Sequence, residues 1–479
     1  MHSVPISPHS TGALDGVLDA DVRHRLDVAL ERQRRLLGAR RLCHVNSTAT
    51  GGGVAEMLGS LLPYLAAAGI EVGRLVIERG EDFFEVTKRL HNRLHGQPGD
   101  GGPLGPAERA RYEATLRSEG AAILGAVRPG DVAVLHDPQT AGLVPVLRGH
   151  GVEVVWRCHV GTDTPDEQAQ TAWAFLRTDV RAAAAAVFTR AAYVWDGLAP
   201  DRVAILPPCI DVCSPKNRPL TAPQASAVLA ASGILPTAAP PAARAAPVDP
   251  GSGRRVVRRA IMTEVEPVPA GARLVTQVSR WDGLKDPVGL LHAFADHGPP
   301  EPDVHLLLVG PNDGVADDPE STDTFAELRR HWASLRDSDV RRIHLARVPM
   351  DDPDENAVVI HAVQRRSDVV VQKSLAEGFG LTVAEAMWKA RPVLASRVGG
   401  IQDQIVDGES GLLVDDPADL PAFGAAMRRL LRDPALARRL GNAAHQRVFD
   451  HFLPVQHTEA EADLLAQMLA RPSSTIGAP

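Results

Sequence analysis

The chain has 479 residues, with 51 basic and 59 acidic side chains and a formal net charge of −8. That length exceeds what a single core usually supports, so two domains are expected. The acidic balance, with no basic block beyond Arg254, Arg255, Arg258 and Arg259, argues against nucleic acid as a partner. Four cysteines, Cys43, Cys158, Cys209 and Cys213, form neither a C-x-x-C pair nor a disulfide framework, which argues against structural zinc and suits a reducing compartment. The opening MHSVPISPHSTG lacks a cationic start followed by an apolar run, and no apolar stretch reaches membrane-spanning length. A soluble, cytoplasmic protein with no membrane partner is therefore expected. Leu14, Val17, Leu18, Val22, Leu26 and Leu30 fall at helical spacing and predict an amphipathic helix over 13–38.

Leu42–Val45 begins a first strand and runs into a loop containing Gly51, Gly52 and Gly53, with a helix starting near Val54. The loop has neither a P-loop lysine nor the spacing of a dinucleotide fingerprint, so it reads as an active-site loop or a flexible turn. Phe83–Asn92, FFEVTKRLHN, passes by its charge pattern as a polar helix face, and a helix follows over 107–126. Val132–His136 and Val152–His159 are the next strands. They place Asp137 and His159 at C-terminal strand ends, where ligands of α/β domains collect. A lone histidine more often packs or sits on the surface, but one at a strand end suits hydrogen bonding to a sugar hydroxyl.

The segment HVNSTATGGGVAEMLGSLLPYLAAAGIEV resembles the opening of the trehalose glycosyltransferring synthases, a branch of retaining glycosyltransferase family 4. The resemblance continues through FFEVTKRLHN and implies that Lys88 and Asn92 lie near the acceptor. The branch carries WRCH followed by an Ile-Asp-like pair, whereas this chain has Val160, Gly161, Thr162 and Asp163 after His159. That departure leaves the general chemistry in place and opens the identity of the acceptor, with Asp163 an acceptor-side candidate. Ile210–Asn217 still follows the branch, and then the resemblance lapses. Residues 218–270 are rich in Ala, Pro and Arg, with APPAARAAPVDPGSG at 239–253, a composition that does not readily form a core. They read as a linker or insertion between a first domain over 1–217 and a second over 271–451, with 452–479 crossing back to the first.

In the second domain, Leu274–Val278 is a strand followed by Arg280 and Lys285, two cations five apart across a glycine-containing turn that can converge on one anion. His305–Gly310 is a further strand, and DDPE at Asp317–Glu320 again resembles the branch. Ser367–Gln372 then leads into Glu377, Gly378, Phe379, Gly380, Leu381 and Thr382. The glycines permit a tight turn, Thr382 is placed to cap a helix through Glu385 and Trp388, and a helix N-terminus favours phosphate. On the glycine pattern alone, an ordinary strand-to-helix turn fits equally. Pro392–Ser396 and the turn Val398–Ile401 repeat the arrangement.

The whole stretch Lys373–Asp415, ending in DGESGLLV at Asp407–Val414, resembles the donor-binding signature of family 4. The resemblance implies the α/β GT-B fold, two Rossmann-like domains facing an interdomain cleft. It also implies that Arg280 and Lys285 grip a donor diphosphate, that Glu377 contacts the transferred sugar, and that Glu385 contacts the ribose. A glycosidase pair of carboxyls would stand about 5 Å apart, whereas eight helical residues span about 12 Å, so the two glutamates are expected to hold different parts of one ligand. His159, Arg280, Lys285 and Glu377 form the expected catalytic set, with no cofactor or metal and a nucleoside-diphosphate sugar as donor. The expected reaction is glucose transfer to glucose, giving α,α-trehalose with retained configuration. A pseudo-glycosyltransferase, a natural-product sugar transferase, a trehalose phosphorylase and a non-catalytic sugar-nucleotide sensor stay open as alternatives. The donor base and the assembly, a homodimer among the options, are not legible.

Overall fold

The computed structural model describes residues 1–50, 52–78, 80–236, 248, 254–312 and 319–471. The chain divides into two units, Met1–Asp211 with Phe452–Pro479, and Val212–His451. The first unit alternates strand and helix: β1 (His2–Ser3), α1 (Ala20–Leu37), β2 (Leu42–Asn46), α2 (Gly53–Ala67), β3 (Val72–Val76), α3 (Glu81–Leu94), α4 (Pro106–Leu124), β4 (Val132–His136), α5 (Val144–Gly149), β5 (Glu153–Cys158), α6 (Glu167–Val180), β6 (Ala185–Phe188) and β7 (Val203–Ile205). Its sheet has the order β1-β3-β2-β4-β5-β6-β7. Every neighbouring pair is parallel except β1 with β3.

Strand alternation divides this sheet chemically. One face sends Cys43, Val45, Ala133, Leu135, Val154, Trp156 and Cys158 into a core with Phe83, Tyr112 and Trp195. Positions of the other parity carry His44, Val134, His136, Val155 and Arg157, and cross-strand pairing sets His44 beside Val134 and His136 beside Arg157.

The predicted helix over 13–38 is shorter than its apolar spacing suggested. Gly16 takes φ +80°, and Asp19 caps α1 by accepting from the Val22 N–H at 2.8 Å, so Leu14 belongs to a separate turn.

The second unit contains α7 (Ala222–Ala231), β8 (Ile261–Thr263), β9 (Arg273–Val278), α8 (Pro287–His297), β10 (Val304–Pro311), α9 (Pro319–Ala333), α10 (Asp337–Val340), β11 (Ile343–Val348), α11 (Pro353–Arg366), β12 (Val369–Gln372), α12 (Leu381–Trp388), β13 (Val393–Ser396), α13 (Ile401–Gln404), β14 (Leu412–Val414), α14 (Leu420–Arg432) and α15 (Pro434–His451). The sheet order is β14-β13-β12-β9-β10-β11-β8, with only the β8 edge antiparallel. The last helix, α16 (Pro454–Leu469), belongs to the first unit and lies along α1, where Arg25 meets Glu459 at 2.7 Å and Arg32 meets Asp463 at 2.6 Å.

Composition alone missed structure inside 218–270. Thr221 caps α7, and Ala225, Val228 and Leu229, at i, i+3 and i+4, bury with Ile234 against Val358, Val359, Ala362 and Val363. Alanine is the strongest helix former, and its small side chain lets one helix approach another closely, so an alanine-rich stretch is not by itself a linker. The APPAARAAPVDPGSG stretch lies outside the described residues except Val248, which is buried. The basic cluster that follows meets acidic residues: Arg254 pairs with Asp354 at 2.8 Å and Arg258 with Glu355 at 2.6 Å, both at the start of α11. Among the described residues, no helix is long and apolar enough to cross a membrane.

Candidate functional site

In the second unit, neighbouring parallel strands β9 and β12 bring two loops together at their C-terminal ends. The Leu375 N–H donates to the Leu284 carbonyl at 2.7 Å, and Gln277 bridges the loops, donating to the Lys285 carbonyl at 2.9 Å and accepting from the Lys373 N–H at 2.9 Å. This stitching places the Lys285 ammonium 2.7 Å from Glu377 Oε2, with both side chains mostly buried. The Ser374 hydroxyl donates to the same carboxylate oxygen at 3.3 Å. Arg280 is more exposed and reaches Asp282 at 3.0 Å; Asp282 in turn caps the turn carrying Lys285 by accepting from the Leu284 N–H at 2.8 Å. Beneath them Lys373 is fully buried, paired with Asp286 and set over the Phe423 ring.

Gly380, at φ +87°, starts α12, and a Cβ there would press on Glu377 and Ile401. The expectation that Thr382 caps this helix is corrected: Thr382 lies inside it, and its hydroxyl donates to Gln372 Oε1 at 3.1 Å. A glycine able to take positive φ turns the chain sooner than a threonine cap would. The Gly400 N–H donates to the Gly378 carbonyl at 3.2 Å, and a Cβ on Gly400 would lie 2.7 Å from Phe379, so the second glycine turn supports the first at close quarters. The first N–H groups of a helix have no intrahelical partner, and Gly380 at the start of this one lies against Glu377, the partner of Lys285, a setting suited to an anion. Glu385, further along α12 and almost fully buried, lies 3.5 Å from the Lys216 ammonium.

In the first unit, Gly51 lies outside the described residues. Gly52 takes φ +83° at the start of α2, whose first residue is Gly53, and the buried Arg74 donates to the Ala49 carbonyl at 2.8 Å, tying down the loop before them. Lys88 and Asn92 share a half-buried face of α3. His159 follows β5 and is half-buried, its backbone N–H donating to Asp137 Oδ1 at 2.8 Å. Asp137 adopts φ +64°, which is costly for a side-chain-bearing residue, and is held there by its own N–H on the Arg157 carbonyl at 2.8 Å and by Trp156 Nε1 on its carbonyl at 3.1 Å. Burial pushes the Asp137 carboxyl up to about 7, and burial together with the Arg157 charge holds the His159 imidazole well below its usual range. Asp163 pairs with Arg190.

Sequence reasoning passed over His44 and His136, which lie edge to edge with each other and with His159; the readable signal was histidine at same-parity positions of two neighbouring parallel strands and just past a third, each two residues beyond the position that faces the one before. It also passed over Gln277, Lys373 and Asp286, which fasten the two loops of the second unit.

Comparison with known proteins matches 44–195 to the family model "Trehalose synthase, N-terminal domain" and 259–447 to "Glycosyl transferases group 1". The trehalose synthase of Rubrobacter xylanophilus is 35% identical, covering 91% of this chain and 92% of that protein, and that of Pyrococcus horikoshii is 34% identical, covering 91% of each. Among solved structures, the UDP-forming α,α-trehalose-phosphate synthase of Burkholderia vietnamiensis superposes with a TM-score of 0.64 at 17% identity, covering 89% of this chain and 98% of that one. The two parallel-dominated sheets are those of the GT-B class, and the chain belongs to the trehalose synthase family of glycosyltransferases.

Proposed function

We propose that the protein is a cytoplasmic, retaining glucosyltransferase that moves glucose from a nucleoside-diphosphate glucose to free glucose, forming α,α-trehalose. The observation that carries this reading is the pairing of Lys285 with Glu377 at 2.7 Å beside the glycine-capped start of α12, in a chain of this family. Lys285 and Arg280 supply positive charge for a diphosphate, and a lysine held against a carboxylate is preorganised for charge that develops as the diphosphate departs. Glu377 accepts hydrogen bonds from hydroxyls of the transferred sugar, and buried Glu385 is suited to a ribose diol.

His159, in the first unit, serves a sugar hydroxyl. Lys88, Asn92 and Asp163, with the glycine loop at 51–53, lie on the acceptor side. The acceptor hydroxyl attacks from the side of the leaving group, its proton passes to a phosphate oxygen, and the anomeric configuration is kept.

A donor-by-acceptor screen with product NMR tests the reading. Trehalose formed from a nucleoside-diphosphate glucose and glucose supports it. A product with another acceptor, or synthesis only from glucose 1-phosphate with release of phosphate, overturns it.

A further inference from the structure

The three histidines of the first unit form one connected row. His44 Nδ1 lies 3.1 Å from His136 Nε2, and His136 Nδ1 lies 3.1 Å from His159 Nε2. The rings are nearly parallel, with interplanar angles of 23° and 15°. We propose that His44 and His136 are positioning residues that fix the tautomer of His159, so that its Nδ1 carries the proton and faces the ligand as a hydrogen-bond donor. The proposal rests on the reading of His159 as a sugar-facing group and specifies the sense of its hydrogen bond.

Each nitrogen–nitrogen contact needs one donor and one acceptor. Three neutral rings satisfy two contacts in only two ways. Either every ring is protonated on Nδ1, the protons pointing from His44 toward His159, or every ring is protonated on Nε2, the protons pointing back. A ring at His136 donating in both directions would be a cation, and one accepting in both would be an anion. His136 is fully buried, and the positive charges of Arg157 and Arg74 further hold it neutral.

The far end of the row decides between the two. Among the described residues, none is a hydrogen-bond partner of the buried His44 Nε2. Arg157 and Arg74, both buried, act on the same ring. A buried N–H left without an acceptor is the rarer orphan, an unpaired acceptor less so, and the two neighbouring cations oppose further positive charge on this ring. The lone pair is favoured, His44 is protonated on Nδ1, and the preference passes through His136 to His159. The row does not continue as a proton relay, because among the described residues no acceptor lies beyond His44 Nε2. It acts as an orienting device, and the ligand atom it suits is an oxygen with an available lone pair, such as a sugar hydroxyl.

The test is 15N NMR of the enzyme with ring-labelled histidine near pH 7.5, with the His159 signals identified by their loss in His159→Gln. The expected spectrum has His159 protonated on Nδ1 and bare on Nε2; protonation on Nε2, or on both nitrogens, overturns the proposal without any variant of the row. In His136→Leu the constraint is gone, so the His159 tautomer should shift and kcat should fall roughly five- to tenfold, with KM for the nucleotide sugar unchanged. His136→Asn, whose amide N–H can replace Nδ1–H, should restore both. An unshifted tautomer in a folded His136→Leu overturns the positioning role. The expected tautomer combined with normal turnover in His159→Ala supports the positioning proposal while removing His159 from the chemistry.

Discussion

Replacing Lys285 with methionine separates the structural from the chemical role of the second unit's loops. The pair is 15% and 12% exposed at 2.7 Å. At an effective dielectric of about 20 its direct attraction is roughly 6 kcal/mol, most of it offset by desolvation. Removing one partner of a buried pair costs about 3–5 kcal/mol; here the Ser374 hydroxyl remains on Glu377 and both groups touch solvent, so a loss of roughly 2–3 kcal/mol is expected. At about 2–4 °C per kcal/mol for a unit of this size, that lowers the melting temperature by roughly 4–12 °C. Loss of a preorganised cation should also cost about 2.7–4 kcal/mol in the transition state, or roughly 10²–10³ in kcat. The double variant Lys285→Met, Glu377→Gln leaves no orphaned carboxylate and should recover most of the stability but none of the turnover. Calorimetry with steady-state kinetics on the two singles and the double measures both effects. Near-normal turnover in Lys285→Met, or recovery of turnover in the double, would show that the lysine only neutralises Glu377 and would remove it from the diphosphate.

Leu229→Ala in α7 should destabilise the second unit by about 2–4 kcal/mol, measured by denaturant unfolding; a change within error would return this segment to the status of a linker. Gly161→Ala places a Cβ 2.3 Å from the buried Tyr193 ring and should cost roughly 1–3 kcal/mol or more, and an unshifted melting temperature would contradict that packing. Acid should destabilise the fold. His44 and His361 are each held at about 3 and His305 at about 4 by burial and neighbouring cations, below the ordinary 6.5, so their contribution is present above pH 6.5 and lost as pH falls toward those values. Asp137 works in the opposite sense, its carboxyl raised by burial from 3.8 to about 7, so its contribution is present at low pH and lost as pH rises through 7. The Glu461 carboxyl is likewise raised by burial, but several imidazoles outweigh two carboxyls, so the unfolding midpoint should fall between pH 7 and 5, and a rise would reverse the argument.

The strands were the most legible part of the chain. VAVLH and LVTQV are short, branched and bounded by turn residues, and a buried parallel strand has little choice but to look so. The loops after β9 and β12 were legible because glycine and charge stand at fixed offsets from strand ends. Helix starts were less so. Thr382 has the chemistry of a cap, but Gly380 turned the chain first, and backbone freedom leaves a weaker trace than a hydroxyl. The alanine-rich α7 was hidden because its composition is equally that of a linker, and only a partner surface on α11 distinguishes the two. The histidine row was hidden for another reason: His44, His136 and His159 are far apart in sequence, and their contact depends on strand register.

Register also decides how the departure after His159 should be read. Exchanging Val160 and Gly161 for the Ile-Asp-like pair of the related branch looks, in sequence, like a local change of acceptor chemistry. In the structure Gly161 is the point where the buried Tyr193 ring comes against the backbone, its carbonyl lies 3.1 Å from His95 Nδ1, and Val160 is buried. Tyr193 lies 5.6 Å beneath the Arg190 guanidinium, and Arg190 holds Asp163. The small residue at 161, the ring at 193, the cation at 190 and the carboxylate at 163 thus depend on one another in series. An aspartate at 161 would displace the tyrosine and release Asp163 before it met any acceptor. A transplant of the pair is therefore expected to keep the fold only with a smaller residue at 193, because residues 161, 193, 190 and 163 pack as one unit.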